Sequence, residues 1–191
     1  METNNSSIDI TQDDLCHAIK SIVWGYLLLH LGFNLGALDL LPDWLGYLLF
    51  LSVIPVLAME DESTRLLRPF GILLALWEGL RWVAALIGIS LEEYTVGIIV
   101  ALIVVVISLY FHFQLLTNLA NIAEKYNCPE QRRILNLRTV KTLLGTLFAF
   151  PLPWQNYTLL AIPLLILNAI VAILICSVLG SLRRSLMENT Q

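Results

Sequence analysis

The chain has 191 residues, of which 58% are hydrophobic and only 14% charged, and its mean hydropathy is +0.77; soluble domains carry roughly 25% charged residues. So apolar a chain cannot hide its surface from water by folding alone, and a lipid bilayer is its expected solvent. The net charge of -4 and the pI near 5.3 exclude the concentrated basic face that nucleic-acid binding requires.

The N-terminal METNNSSIDITQDDL is acidic and polar where a secretory signal would place positive charge before a short apolar core, so the first span is expected to be retained. A helix needs ~20 apolar residues to cross the hydrocarbon core, and six segments qualify. The first runs over about 15–33, with Lys20 near its start able to snorkel toward the headgroups. The second, about 44–59, is short and contains Pro55, so either the helix kinks there or, the favoured reading, residues 40–42 lie at membrane depth as well. The third, about 69–89, opens on Pro69, whose missing N–H has no partner in a first helical turn.

The fourth span covers about 94–116, and its helical pattern continues through Asn118 to Tyr126, where Asn127, Cys128 and Pro129 supply a stop. The fifth, about 140–150, ends at Pro151 and Pro153 and must borrow length from the basic segment before it. The sixth covers about 157–182. The pattern predicts an all-α fold, a polytopic transmembrane helix bundle of six helices in a single integral membrane domain, with a loop at 117–139.

Lys and Arg alternate across the connections. The N-terminal flank has Lys20, the second connection Arg65 and Arg68, the fourth Lys125, Arg132, Arg133, Arg138 and Lys141, and the tail Arg183 and Arg184; the first, third and fifth connections have none. Basic residues are retained on the cytoplasmic side. Both termini and the 117–139 loop are therefore expected in the cytosol, with 36–41, 92–93 and 154–156 outside. Cys16, Cys128 and Cys176 have no paired spacing and no histidines at zinc-binding intervals, so free thiols are expected.

Between the first two spans runs GFNLGALDLLPDWLGYLL, Gly32 to Leu49, with acids and turn residues but no Lys or Arg. Either Asn34 or Gly36 can close the first helix, Gly36 at the lower steric cost. Pro42 can open the next helix, with Asp43 capping it beside the positive end of its dipole. Asp39, an acid among apolar residues, is what turn chemistry leaves over. The outer-loop pair Asp39 and Asp43 reads either as a structural turn or, with Asp39 as the gate, as a cation or ligand gate. The string NLGxLDLLPDWLGYLL resembles uncharacterised small polytopic membrane proteins of Gram-positive bacteria. That resemblance implies a multi-pass protein of the bacterial cytoplasmic membrane and carries over no catalytic residue.

Glu78 and Arg81 lie near the middle of the third span, three residues apart and so on one helix face. Each would cost roughly 2.5–3.5 kcal/mol at mid-membrane, so the pair is expected to turn inward and neutralise itself. Gly71, Ala75, Ala85 and Gly88 continue the same stripe, a surface that lets helices approach closely. At ~1.5 Å rise per residue, His30 and Asn168 fall near the same depth, and Tyr26, His30 and Asn34 follow one another at i, i+4 spacing. These six residues, Glu78, Arg81, His30, Asn34, Asn168 and Tyr26, form the candidate buried polar cluster, to be read as a solute or proton site or as an ion pair locking the bundle.

His112 with Ser108 forms a second inward pair on the face of Gly97 and Ala101, read as a packed histidine. Ile134, Leu137 and Val140 alternate with Arg132, Arg133, Arg138 and Lys141, a pattern that lies in the membrane surface and reads as a lipid-facing topology anchor. No metal-ligand spacing, nucleophile constellation, phosphate-cradling loop or cofactor motif is present, so neither a metal nor a cofactor is expected.

In size and topology the chain is similar to the substrate-binding subunits of energy-coupling-factor vitamin transporters, which implies small-solute binding or transport through a polar interior. A non-catalytic membrane scaffold, engaging a partner membrane protein through 124–141, is the alternative reading. A membrane enzyme, with Glu78 and His30 as its acid and base, is the third. The expected partners are the lipid bilayer and either a small solute or a partner membrane protein.

Overall fold

The computed structural model describes residues 5–30, 34–35, 38–39, 43–89, 95–149 and 158–188. Within them are six α-helices: α1 (Asn5–His30), α2 (Asp43–Glu60), α3 (Leu67–Leu86), α4 (Thr95–Lys125), α5 (Gln131–Ala149) and α6 (Thr158–Glu188). A 3-10 turn, Glu62–Leu66, leads into α3. Two short strands, β1 (Asn34–Leu35) and β2 (Leu38–Asp39), pair antiparallel with Asn34 opposite Asp39. The expected all-α class holds, with this small hairpin where sequence reading places helix caps.

Among the described residues, four stretches are long and apolar enough to cross a membrane: Asp43–Glu60, Glu62–Leu86, Val96–Lys125 and Ala161–Glu188. In the most apolar window of Val96–Lys125 only 11% of residues are buried inside the chain. Large exposed apolar faces of this kind need lipid or another apolar surface against them. The charged N-terminal half of α1 and the basic start of α5 keep those two helices outside the four.

Each helix packs on its neighbours in the chain, and α6 returns to α1, so the six form a closed ring in sequence order. Gln12 Nε2 donates to the Leu186 carbonyl at 2.7 Å and the Cys16 thiol lies 3.8 Å from the Arg183 carbonyl. The start of α1 and the end of α6 therefore share one end of the ring. The inward face of α1 carries Leu15, Ile19, Ile22 and Tyr26, all at 0% exposure, at helical spacing.

Glycine sets the tightest of these contacts. A methyl group at Gly46 would lie 3.0 Å from the Gly25 carbonyl oxygen, and one at Gly25 would lie 2.5 Å from the Phe50 ring. Absence of both side chains lets the backbones of α1 and α2 meet. On α3, Gly71 fits against Leu51 and Phe111, but nothing lies within 4 Å of a side chain placed at Gly88, and Ala85 is exposed. The small-residue stripe expected along that whole helix thus works at one end only, while α1 and α2 approach closely through Gly25 and Gly46, and Gly145 of α5 meets Leu109 of α4.

At the end of the ring shared by the start of α1, a polar layer joins the α2–α3 connection to α4. Asn118 is fully buried and hydrogen-bonds with Gln114, Thr64 and Ser63 at 2.7, 2.9 and 3.2 Å. Asp61 accepts from the Ser63 hydroxyl at 2.7 Å, the Ser63 N–H at 3.0 Å and Asn121 at 3.1 Å. Partial burial alone would raise the Asp61 pKa, but these three donors outweigh it and hold the carboxyl below the usual carboxylate range. Glu60 takes Lys125 at 2.7 Å and the Tyr126 hydroxyl at 3.2 Å. α4 then ends as expected, with Asn127 in the left-handed region at φ 54° and the Cys128 N–H donating to the Ala123 carbonyl at 2.8 Å.

The 117–139 segment is the end of α4, a tight turn and the start of α5 rather than an open loop. Pro55 sits inside α2 without ending it. The expected roles of Gly32, Gly36, residues 40–42, Pro151 and Pro153, and of the connections at 92–93 and 154–156, lie outside the described residues.

Candidate functional site

A cavity of about 270 Å³ lies within the ring, and every one of the six helices contributes to its wall. α1 gives Leu29 and His30 from its last turn; α2 gives Asp43 and Tyr47 from its first. α3 contributes Glu78, and α4 contributes Val104, Val105, Ser108, Leu109 and His112. α5 adds Lys141, Thr142 and Gly145, and α6 adds Asn168. The cavity thus reaches from the depth of His112 to Asp43, at the end of the ring opposite the start of α1.

Its floor is aromatic. Tyr26, Tyr47, Phe50, Phe111 and His112 pack as a cluster with ring centroids 5.2–6.1 Å apart, mostly in the tilted and edge-on arrangements that such rings favour. Tyr26, Phe50 and Phe111 are fully buried. This layer separates the cavity from the Asn118 polar layer beyond it.

The polar groups of the wall are linked. His30 Nδ1 lies 2.9 Å from the Tyr26 carbonyl one turn earlier, and Lys141 Nζ lies 3.2 Å from His30 Nε2. Since a carbonyl only accepts and an ammonium only donates, Nδ1 must carry the proton and Nε2 must accept. The same ammonium stands 5.8 Å from the Tyr26 ring centroid, a cation–π distance. The Tyr26 hydroxyl reaches His112 Nδ1 at 3.3 Å, and Tyr47 and Ser108 hydrogen-bond at 3.1 Å. One continuous set of contacts therefore joins Lys141, His30, Tyr26 and His112.

Most of the cluster expected from sequence meets here. His30, Glu78 and Asn168 line the cavity, and Tyr26 supports it from beneath. Arg81 pairs with Glu78 at 3.0 Å, but the side chains are 45% and 16% exposed respectively, so the pair is only half turned inward. Arg81 lies five residues, ~7.5 Å, from the end of α3 at Leu86, close enough for its long stem to carry the charge outward. Asn34 belongs to β1, paired with Asp39 of β2.

Asp43, expected only as a cap, lines the cavity as well. His112 and Ser108 do both things sequence allowed them: His112 packs in the aromatic floor and both line the wall.

The basic segment divides. Arg132 and Arg133 are exposed, as a surface anchor would be. Arg138 instead folds onto α4, donating to Thr117 at 2.9 Å with its guanidinium 4.3 Å from the Phe113 ring. Lys141 is turned into the ring. Both were expected to face lipid; the reason they do not is helix phase, because Arg138, Lys141, Thr142 and Gly145 recur at i, i+3, i+4 and i+7 on the face that α5 presents to α4 and α1. Tyr47 and Thr142 are the polar wall residues that sequence reading did not assign to a site, and that recurrence is the signal that would have found Thr142.

Comparison of the chain with family models, with curated proteins and with solved structures returns no match.

Proposed function

We propose that the chain is a multi-pass protein of the bacterial cytoplasmic membrane, with both termini in the cytosol, that binds a small solute in the cavity for transport. The observation that carries this reading is the cavity itself: a half-open space whose wall takes polar side chains from all six helices. A bundle needing only to be stable would fill that space with apolar side chains, since each polar group placed in it must be desolvated and re-partnered.

Three further features support the reading. The exposed apolar faces of α3, α4 and α6 suit lipid. The start of α1 and the end of α6 lie together, as termini on one side of a membrane would. The alternation of Lys and Arg then assigns that side to the cytosol and turns the Asp43 end of the cavity outward.

Native mass spectrometry of the full chain in a mild detergent tests the proposal. A small molecule should be released from the wild-type protein and absent from Thr142→Trp, whose indole would occupy the cavity. A wild-type chain that carries nothing, or a Thr142→Trp chain that carries the same molecule, contradicts it.

A further inference from the structure

Lys141 is set into the cavity wall, yet among the described residues no carboxylate lies within 4.0 Å of its ammonium. Its nearest polar partner is the imidazole of His30, a neutral acceptor in the tautomer that the Tyr26 carbonyl selects. An ammonium half-buried among apolar helices with only a neutral partner is costly unless an anion joins it. Among the described residues, the acids of the wall do not fill that role. Glu78 is engaged by Arg81, and Asp43 belongs to α2, which stands three positions from α5 around the ring and so on the opposite wall.

We infer, resting on the solute-binding reading, that the cavity takes a small monocarboxylate whose carboxylate binds the Lys141 ammonium, with His112, Thr142 and Asn168 within the same wall. One uncompensated lysine balances one negative charge. Size is limited too: 270 Å³ is room for about nine waters at ~30 Å³ each, and so for a ligand of about nine non-hydrogen atoms.

Isothermal titration of the full chain in nanodiscs with three matched pairs tests this: acetate and acetamide, propionate and propionamide, benzoate and benzamide. Each pair keeps its shape and changes its charge. At least one carboxylate should bind about tenfold or more tightly than its amide, the scale of a charge-assisted hydrogen bond. Lys141→Met should remove that preference and Lys141→Arg should retain it. If Lys141→Met does not fold, the wild-type comparison and Lys141→Arg decide the matter alone.

Amides that bind as well as their carboxylates, or a preference that survives in folded Lys141→Met, overturn the inference and leave solute binding standing. If none of the six binds, the molecule released in native mass spectrometry decides. A monocarboxylate upholds the inference and any other molecule overturns it. No molecule at all removes it together with the solute-binding reading.

Discussion

Lys141 Nζ lies 3.2 Å from His30 Nε2, a contact between the last turn of α1 and the middle of α5 across 111 residues of chain. It joins an ammonium to a neutral imidazole at the wall of a cavity that every helix helps to build.

This contact fixes a proton. With Lys141 donating to Nε2 and the Tyr26 carbonyl accepting from Nδ1, His30 should be the neutral Nδ1–H tautomer. Nitrogen NMR of histidine-labelled protein should show a protonated Nδ1 for His30, assigned by its loss in His30→Phe. A resonance pattern of the Nε2–H tautomer would mean that Lys141 does not donate to this ring.

Glu78 and Arg81 form a pair that is half inside. Breaking a fully buried pair costs ~3–5 kcal/mol and an exposed one ~0–1 kcal/mol, so Glu78→Gln should cost ~1–3 kcal/mol. Glu78→Gln combined with Arg81→Met should cost less than the single change, because neither member of the pair is left facing the loss of the other. Thermal unfolding in detergent measures both; a double variant weaker than Glu78→Gln would show that the pairing is not what the two residues contribute.

Much of this site is legible in the sequence because intramembrane polarity is rare enough to stand out. Glu78, His30 and Asn168 are each isolated in an apolar span, and a fixed rise per residue puts them at one depth without any knowledge of packing. Lys141 is hidden for the opposite reason. It follows three arginines at the start of a short apolar run, where composition alone makes it a headgroup anchor, and only the phase of α5 against α1 turns it inward. Asp43 is hidden by its own adequacy as a cap, since a residue with one sufficient explanation prompts no second. The ring order of the helices is a property of tertiary contacts, and hydropathy carries nothing about it.

Gly25 and Gly46 hold α1 and α2 together by what they lack. At Gly46 a methyl group meets backbone, which cannot move aside, and at Gly25 it meets Phe50, itself fully buried among aromatic rings. Gly25→Ala and Gly46→Ala should each lose ~1–3 kcal/mol, the usual cost of overpacking. Gly180→Ala, with nothing within 4 Å, should be neutral or gain ~0.4–1 kcal/mol. Equal melting temperatures for all three variants would place the helix contact elsewhere.

Asp61 ties the polar layer to pH. Its carboxyl is held below the usual range in the folded chain by Ser63 and Asn121, so the folded state binds fewer protons than the unfolded state as pH falls through that range. The stabilisation is present above the ordinary carboxylate pKa of about 3.9 and is lost as pH drops through the lowered folded value. Between pH 5 and 3 the melting temperature should fall more steeply in wild type than in Asp61→Asn. Parallel slopes would mean that Asp61 titrates alike in both states.

The most direct measurement is substituted-cysteine reactivity. In a chain with Cys16, Cys128 and Cys176 replaced, single cysteines at Ser108, Thr142 and Asn168 face the cavity, and those at Ile103, Leu143 and Ile166 are exposed on the outside of the bundle. A small charged methanethiosulfonate reacts with the thiolate, which forms where water reaches and not in hydrocarbon. Applied to nanodisc-embedded protein, it should modify the three cavity positions and spare the three outer ones. Modification of the outer positions with protection of Ser108, Thr142 and Asn168 would contradict a polar, solute-accessible interior.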